Sequence, residues 1–209
     1  MNNFPKISIV IVTYNNERTI LECANSIHSQ LYPKKSIELM NVGGGSTDDT
    51  TKVLKKFGFL TIVSNILNNA EPQRAIGLQE ARHNLIVSID ADNYLSNEKW
   101  LQRMIQPFVE NPDIVHAGTM RFTYRKSDTI YNRYCALFGV LDPVVFYIGR
   151  PDRIPQYQTS LKYGTIIKSN RYYDVVTYTK DSLTTVGCNG VVYKKDILLK
   201  YANSSPKDF

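Results

Sequence analysis

Apolar residues follow two rhythms over the first 118 positions, and the alternation between them predicts the architecture. Ile7 to Thr13 is an unbroken, mostly β-branched run, the pattern of a strand covered on both faces. Ile20, Leu21, Ala24, Ile27 and Leu31 then recur at spacings of one, three and four, which places an apolar stripe on a helix. Ile37 to Val42 predicts a second strand, stopped by Gly43-Gly44-Gly45. Ser46 or Thr47 is positioned to cap the following helix, with Asp48 and Asp49 in its positive first turn and Val53, Leu54 and Phe57 on its apolar side. Leu60 to Val63 reads as a third strand, Pro72 to His83 as a helix, and Leu85 to Ile89 as a fourth strand. Ser96 is expected to cap an amphipathic helix bearing Trp100, Leu101, Met104, Ile105, Phe108 and Val109, with a fifth strand at Ile114 to Gly118.

This alternation implies an α/β fold: a three-layer α/β/α sandwich with a mostly parallel central sheet and right-handed crossovers. After Arg121 the rhythm breaks. Residues 121–185 are rich in Tyr, Arg, Lys and Pro, and predict a helix near Ser127 to Val140 followed by long loops. Order returns with a strand at Val186 to Tyr193 and a short helix from Lys195.

Composition narrows the picture only slightly. A hydrophobic content of 43% with 21% charged residues describes a globular chain, not a disordered one. The net charge of +6 suits an anionic ligand or an acidic membrane surface, and equally a solvated lysine-rich exterior. No basic block interleaved with aromatics marks a nucleic-acid groove, so nucleic acid is not an expected partner. Cys23, Cys135 and Cys188 are odd in number and scattered, as buried thiols in a reducing compartment are. His28, His83 and His116 are isolated, and no spacing suggests zinc. The N-terminus carries no signal-peptide hydrophobic region, which leads us to expect a cytoplasmic protein, with the inner face of the membrane as one location. Tyr134 to Gly149 is apolar and aromatic but too short to span a bilayer and is interrupted by Asp142 and Pro143; it reads as a packed helix and loop, or as a surface meeting lipid.

The chemistry concentrates at Ser88-Ile89-Asp90-Ala91-Asp92-Asn93. Two carboxylates directly after a buried strand lie where open α/β sheets bind ligands. If extended geometry persists, Asp90 and Asp92 share a face. Bare carboxylates repel a phosphate by about 1 kcal/mol per charge pair at 4 Å in water, and about 4 kcal/mol at an effective dielectric of 20. Mn²⁺ or Mg²⁺ between them reverses the sign, because such ions bridge carboxylate and diphosphate oxygens.

Pro5 to Glu17, Gly44-Gly45-Ser46-Thr47-Asp48-Asp49-Thr50, Gln73-Arg74-Ala75, Asp90-Ala91-Asp92 and Gly187 to Lys195 together resemble a family 2 glycosyltransferase with the GT-A type of nucleotide-sugar-binding fold. The likeness is firm over residues 5–118, thinner to 200, and absent over 121–185. It implies an inverting, metal-dependent enzyme moving a sugar from a nucleoside diphosphate sugar (a UDP- or GDP-sugar) to a hydroxyl acceptor on a glycan, a lipid-linked molecule or a protein. It implies a donor-binding half over residues 1–120 and an acceptor-side half of the same domain over 121–209. In that reading Thr13, Tyr14 and Asn15 meet the base at the end of the first strand, and Arg74 forks onto the diphosphate. Asp90 faces the ribose and sugar, Asp92 with Asp90 holds the metal, and Asn189 and Gly190 line the acceptor side. Simpler roles stand beside these: a rim-packed Tyr14, an exposed helix Arg74, and a glycine turn with no ligand.

Two departures matter. Family members carry an aspartate against the base where this chain has Gly43. Losing one such charge-assisted hydrogen bond, worth roughly 1.5–3 kcal/mol, relaxes base recognition by about one to two orders of magnitude unless Asn41 or a water substitutes. The catalytic base follows the Gly-x-Asn-Gly segment by one or two dozen positions in the family, which here means Asp208 or a residue past Phe209, so poor transfer by this chain is expected. A nucleotide-sugar-binding or scaffold module with a degenerate site is the alternative. A nucleotidyltransferase is disfavoured because Thr13-Tyr14-Asn15-Asn16 stands where its glycine-rich signature belongs.

Overall fold

A computed structural model describes residues 4–64, 69–140, 143–151, 153–184, 187 and 189–202. The chain divides into two compact units, one formed by residues 1–117 with 189–209 and the other by residues 118–188.

The first unit is built on a six-stranded sheet. Its strands are β1 (Ile7–Thr13), β2 (Ile37–Gly43), β3 (Leu60–Val63), β4 (Leu85–Asp90), β5 (His116–Gly118) and, far downstream, a closing strand at Val191–Lys194. The helices are α1 (Glu17–His28), α2 (Thr50–Lys56), α3 (Ala70–Glu80), α4 (Trp100–Glu110) and a final helix at Lys195–Ala202. The spatial order is β3-β2-β1-β4-closing strand-β5. β1 pairs in parallel with both β2 and β4, and β2 in parallel with β3, whereas the closing strand runs antiparallel to β4. The sheet is therefore mostly parallel, as the alternation predicts, but a late strand separates β4 from β5. No local pattern announces that insertion.

β1 is buried along its whole length because both faces are covered. Ile7, Ile9 and Ile11 meet Ile20, Cys23, Ala24 and Ile27 of α1, Leu54 of α2, and Leu101 and Ile105 of α4. Val10, Met40 and Ile86 form a smaller cluster on the other face, with Leu78 of α3. Gly77 brings α3 very close to that face: a Cβ there would lie 2.4 Å from Val10 Cγ1. Leu21, Leu31 and Val109, expected on apolar stripes, are about half exposed. Leu31 lies past the end of α1, and Leu21 and Val109 sit a full residue angle round from their buried neighbours.

The caps also differ from expectation. α2 starts at Thr50, and Asp48 rather than Ser46 or Thr47 serves it, accepting from the Thr50 amide at 3.0 Å. α4 starts at Trp100 instead of near Ser96, preceded by an Asx turn in which Asn97 Oδ1 accepts from the Lys99 amide.

The second unit holds α5 (Ile130–Phe138), α6 (Pro143–Tyr147) and a two-stranded antiparallel ribbon, β6 (Thr165–Ser169) with β7 (Asp174–Thr177). We number the closing strand β8 and the final helix α7 hereafter. Thr129 caps α5, and Gly139, at φ +69°, ends it. Phe138 contacts Tyr134, Phe146 and Tyr157 through ring–ring packing. The ribbon was expected as loop. All five residues of β6 are exposed, so no alternation betrays the strand. Among the described residues, no helix is long and apolar enough to cross a membrane.

Candidate active site

The carboxyl ends of β1 and β4 and the start of α3 enclose a cleft of about 260 Å³, lined by Thr13, Tyr14, Asn16, Gln73, Arg74, Asp90 and Asp92 among others. That volume is slightly below the roughly 300–1,000 Å³ of sites enclosing a whole small ligand, so a nucleotide-sized molecule would extend beyond it.

β4 delivers Asp90 at its last position. The chain then turns instead of continuing extended, with the Asn93 amide donating to the Asp90 carbonyl at 3.0 Å. The same-face argument for Asp90 and Asp92 thus fails in detail, yet both residues line the cleft because the turn folds back over it. Arg74 comes from α3, and its guanidinium is ion-paired to Asp90 Oδ1 and to Glu71 Oε1. Its side chain is only 15% exposed, so it is no free surface arginine. Asp92 Oδ1 accepts from Asn93 Nδ2 at 2.9 Å. Burial among the cleft walls, and then the negative charge of Asp90, raise the Asp92 carboxyl above its ordinary value. A like-charged pair in a crowded cleft is the donor set an oxygen-preferring divalent cation fits. Among the described residues no three His, Cys, Asp or Glu side chains converge on one point.

Asn189 is buried and holds the strand end in place: its Oδ1 accepts from the Asp90 amide at 3.1 Å. Gly190 donates its amide to the Ser88 carbonyl and adopts φ +65°, which favours glycine. Both residues therefore fasten the end of β4. Beneath it the Cys23 thiol lies 3.8 Å from the Asp90 carbonyl; burial, then the charges of Asp92 and Asp90, push it up to about 12.

At the end of β1, Thr13 is buried and donates to Asn41 Oδ1 at 2.9 Å. Tyr14 is 37% exposed at the cleft. Asn15, at φ +52°, turns away from it: its amide donates to Ser46 Oγ, and its Oδ1 accepts from the Thr47 amide. Asp48 also accepts from the Glu17 amide. The Gly-Gly-Ser-Thr-Asp segment is therefore a brace joining two loops. Gly43 ends β2, and Asp208 lies outside the described residues. Asn16 and Asn69, which no motif marks, also line the cleft. Asn69 was detectable as the cap of α3, where it accepts from the Glu71 amide.

The family model for glycosyl transferase family 2 matches residues 8–179. Glycosyltransferase AglE of Haloferax volcanii is 28% identical over 138 residues, 64% of this chain and 45% of that protein. The poly(ribitol-phosphate) beta-glucosyltransferase of Bacillus spizizenii is 33% identical over 103 residues, 46% of this chain and 16% of that protein. The chain thus spans less than half the length of these curated relatives. Among solved structures, S. aureus TarS 1–349 superposes with a TM-score of 0.64 at 18% identity, covering 97% of this chain and 51% of TarS 1–349. The mannosyltransferase PcManGT from Pyrobaculum calidifontis, solved with GDP-Man and Mn²⁺, gives 0.54 at 19% identity over 58% of this chain and 37% of its own. These likenesses show a GT-A fold. With the family model covering most of its length, the chain belongs to glycosyl transferase family 2.

Proposed function

We propose that this chain carries the donor site of an inverting transferase that moves a sugar from a nucleoside diphosphate sugar to a hydroxyl acceptor. The observation that carries the reading is the convergence of Arg74, Asp90 and Asp92 on one cleft at the strand ends. Arg74 already neutralises Asp90, and its forked guanidinium suits phosphate oxygens as well. Asp92, with Asp90, would hold Mn²⁺ or Mg²⁺, which supplies positive charge for the departing diphosphate. Tyr14 offers a ring for base stacking. Asn189 keeps Asp90 in register by tying its amide. Solved neighbours bound to GDP-Man with Mn²⁺ and to UDP-GlcNAc support this donor class. Attack by an acceptor hydroxyl opposite the leaving diphosphate, with its proton passing to a carboxylate base, inverts the anomeric centre.

On the acceptor side, residues 118–188 hold ten basic and five acidic residues, and Ile130, Val144, Tyr147 and Ile148 are largely exposed. This combination suits a lipid-linked acceptor and peripheral contact with an anionic bilayer. Calorimetry with UDP and GDP, with and without Mn²⁺, tests the donor reading. Binding of one nucleotide that strengthens at least tenfold with Mn²⁺, and loses that gain in Asp92→Asn, is expected. Binding that ignores both the cation and Asp92 would refute it. Donor-dependent transfer absent even from a longer chain containing these residues would favour a scaffold module, the reading that Gly43 motivates.

A further inference from the structure

Arg74 holds two carboxylates at once, through different nitrogens. Its Nη2 is paired with Asp90 Oδ1, and its Nη1 with Oε1 of Glu71, three residues back along α3. The two carboxylates are held with unequal firmness. Asp90 is fixed on both sides of its backbone: its amide donates to Asn189 Oδ1, and its carbonyl accepts from the Asn93 amide. Glu71 stands in the first turn of α3 with its side chain 72% exposed. The guanidinium therefore joins a carboxylate anchored in the cleft to one that moves in solvent.

This pairing conflicts with the second task of Asp90. The oxygen that Arg74 engages belongs to the same carboxylate pair that a divalent cation fits. A guanidinium and a divalent ion about 4 Å apart on one carboxylate repel by the equivalent of more than tenfold in affinity, even at the dielectric of water. A diphosphate resolves the conflict, because it offers the guanidinium a forked acceptor in place of Asp90 and offers the cation oxygens to bridge. Since Asp90 and Glu71 occupy separate nitrogens, exchanging Asp90 for a phosphate oxygen frees Nη2 and leaves Nη1 where it is.

We propose that Arg74 is a resident cation on Asp90, tethered by Glu71, that passes from Asp90 to the diphosphate when nucleotide and divalent ion arrive together. The inference rests on the donor reading above and adds a coupling to it, with Glu71 as a positioning residue. Each ligand favours the exchange that admits the other, so each tightens the other by the same factor, as linkage requires. A divalent ion without nucleotide meets an occupied carboxylate and binds weakly.

The test measures Mn²⁺ affinity by electron paramagnetic resonance, and UDP and GDP affinity by calorimetry with and without Mn²⁺, corrected for the metal–nucleotide complex in solution. In Arg74→Gln we expect Mn²⁺ alone to bind about tenfold tighter, and the factor by which Mn²⁺ tightens the nucleotide to fall about tenfold. An arginine acting as a fixed charge would shift both separate affinities yet leave that factor within twofold of the unmodified chain, and this result overturns the exchange while leaving the donor site intact. Glu71→Gln should weaken the nucleotide about threefold in Mn²⁺, although it removes a negative charge near an anion; tighter binding overturns the tether. Crystals of the unmodified chain with Mn²⁺ and UDP or GDP read the exchange without any variant. Arg74 should lie on the diphosphate and beyond about 4 Å from Asp90, and a guanidinium still paired with Asp90 overturns the proposal. An unmodified chain that binds neither nucleotide overturns the exchange and the donor reading together.

Discussion

Gly77→Ala should destabilise this protein even though alanine is the better helix former, and a second substitution should reverse the sign. An alanine Cβ would lie 2.4 Å from Val10 Cγ1 and 3.2 Å from Val42 Cγ2. Val10 is 3% exposed, and β-branching leaves it few rotamers, so α3 must move away from the sheet. Overpacking of this kind costs about 1–3 kcal/mol. The depth of the overlap puts the cost toward the upper end, while helix propensity returns about 1 kcal/mol. The net loss is then about 1–2 kcal/mol, and at roughly 2–4 °C per kcal/mol for a chain of this size Tm falls by about 2–8 °C. Val10→Ala alone is destabilising through its cavity. In that background the main overlap is gone, and Gly77→Ala should stabilise by up to about 1 kcal/mol. Urea unfolding followed by the fluorescence of Trp100, the single tryptophan and a core residue, measures the four-protein cycle. A coupling of about 2–3 kcal/mol is expected. Gly77→Ala raising stability in the unmodified background, or simple additivity of the two changes, would refute the close-approach argument. Because α3 also carries Gln73 and Arg74, the displaced helix should bind inorganic diphosphate more weakly.

Other consequences can be measured separately. Asn189→Ala leaves the Asp90 amide without its partner and should cost about 1–3 kcal/mol, together with weaker Mn²⁺-dependent nucleotide binding; unchanged stability would remove its positioning role. Burial pushes the Asp48 carboxyl up, but hydrogen bonds from Thr50 and from the Glu17 and Thr50 amides outweigh it and leave the group below its usual value. A depressed carboxyl stabilises the fold above its unfolded pKa, about 3.9, and loses that contribution as pH falls through the folded value. The stability difference between the unmodified chain and Asp48→Asn should therefore be constant above about pH 5 and shrink below about pH 4; a difference that grows in acid would contradict the sign. Cys23, 1% exposed with its thiol pushed up to about 12, should resist alkylation at pH 8 in a Cys188→Ser background until urea unfolds the chain. Rapid native-state labelling assigned to Cys23 by mass spectrometry would contradict its burial.

Legibility in the sequence followed burial. β1 and β4 stand out because they are buried along nearly their whole length, which forces nearly continuous apolar runs, whereas β2, half-buried at its start and interrupted by Glu38 and Asn41, is marked by Leu39, Met40 and Val42. The β6–β7 ribbon has no sequence signal because all five residues of β6 are exposed, so its composition answers to solvent. Short-range caps went wrong where a side chain serves two masters: Asp48 bonds α1 and α2 at once, a choice visible only once both loops are in place. Asp90 and Asp92 were legible as an acidic pair after a strand, but the turn that reorients Asp92 was not. The Arg74–Asp90 ion pair spans a crossover, and the Thr13–Asn41 hydrogen bond joins two strands. Such features belong to tertiary neighbours, and no window of sequence contains them.

The placement of β8 between β4 and β5 sets a timetable for biogenesis. Asp90 and the Asn189 that fastens it are 99 positions apart, so the ribosome has made β1 to β5 and the whole second unit before the missing interior strand emerges. Until then β4 presents an unzipped flank on one side, the kind of exposed border that invites pairing with a neighbouring nascent chain. The cleft at the end of β4 can mature only after β8 has been made, and translation products that stop short of Asn189 should be prone to self-association.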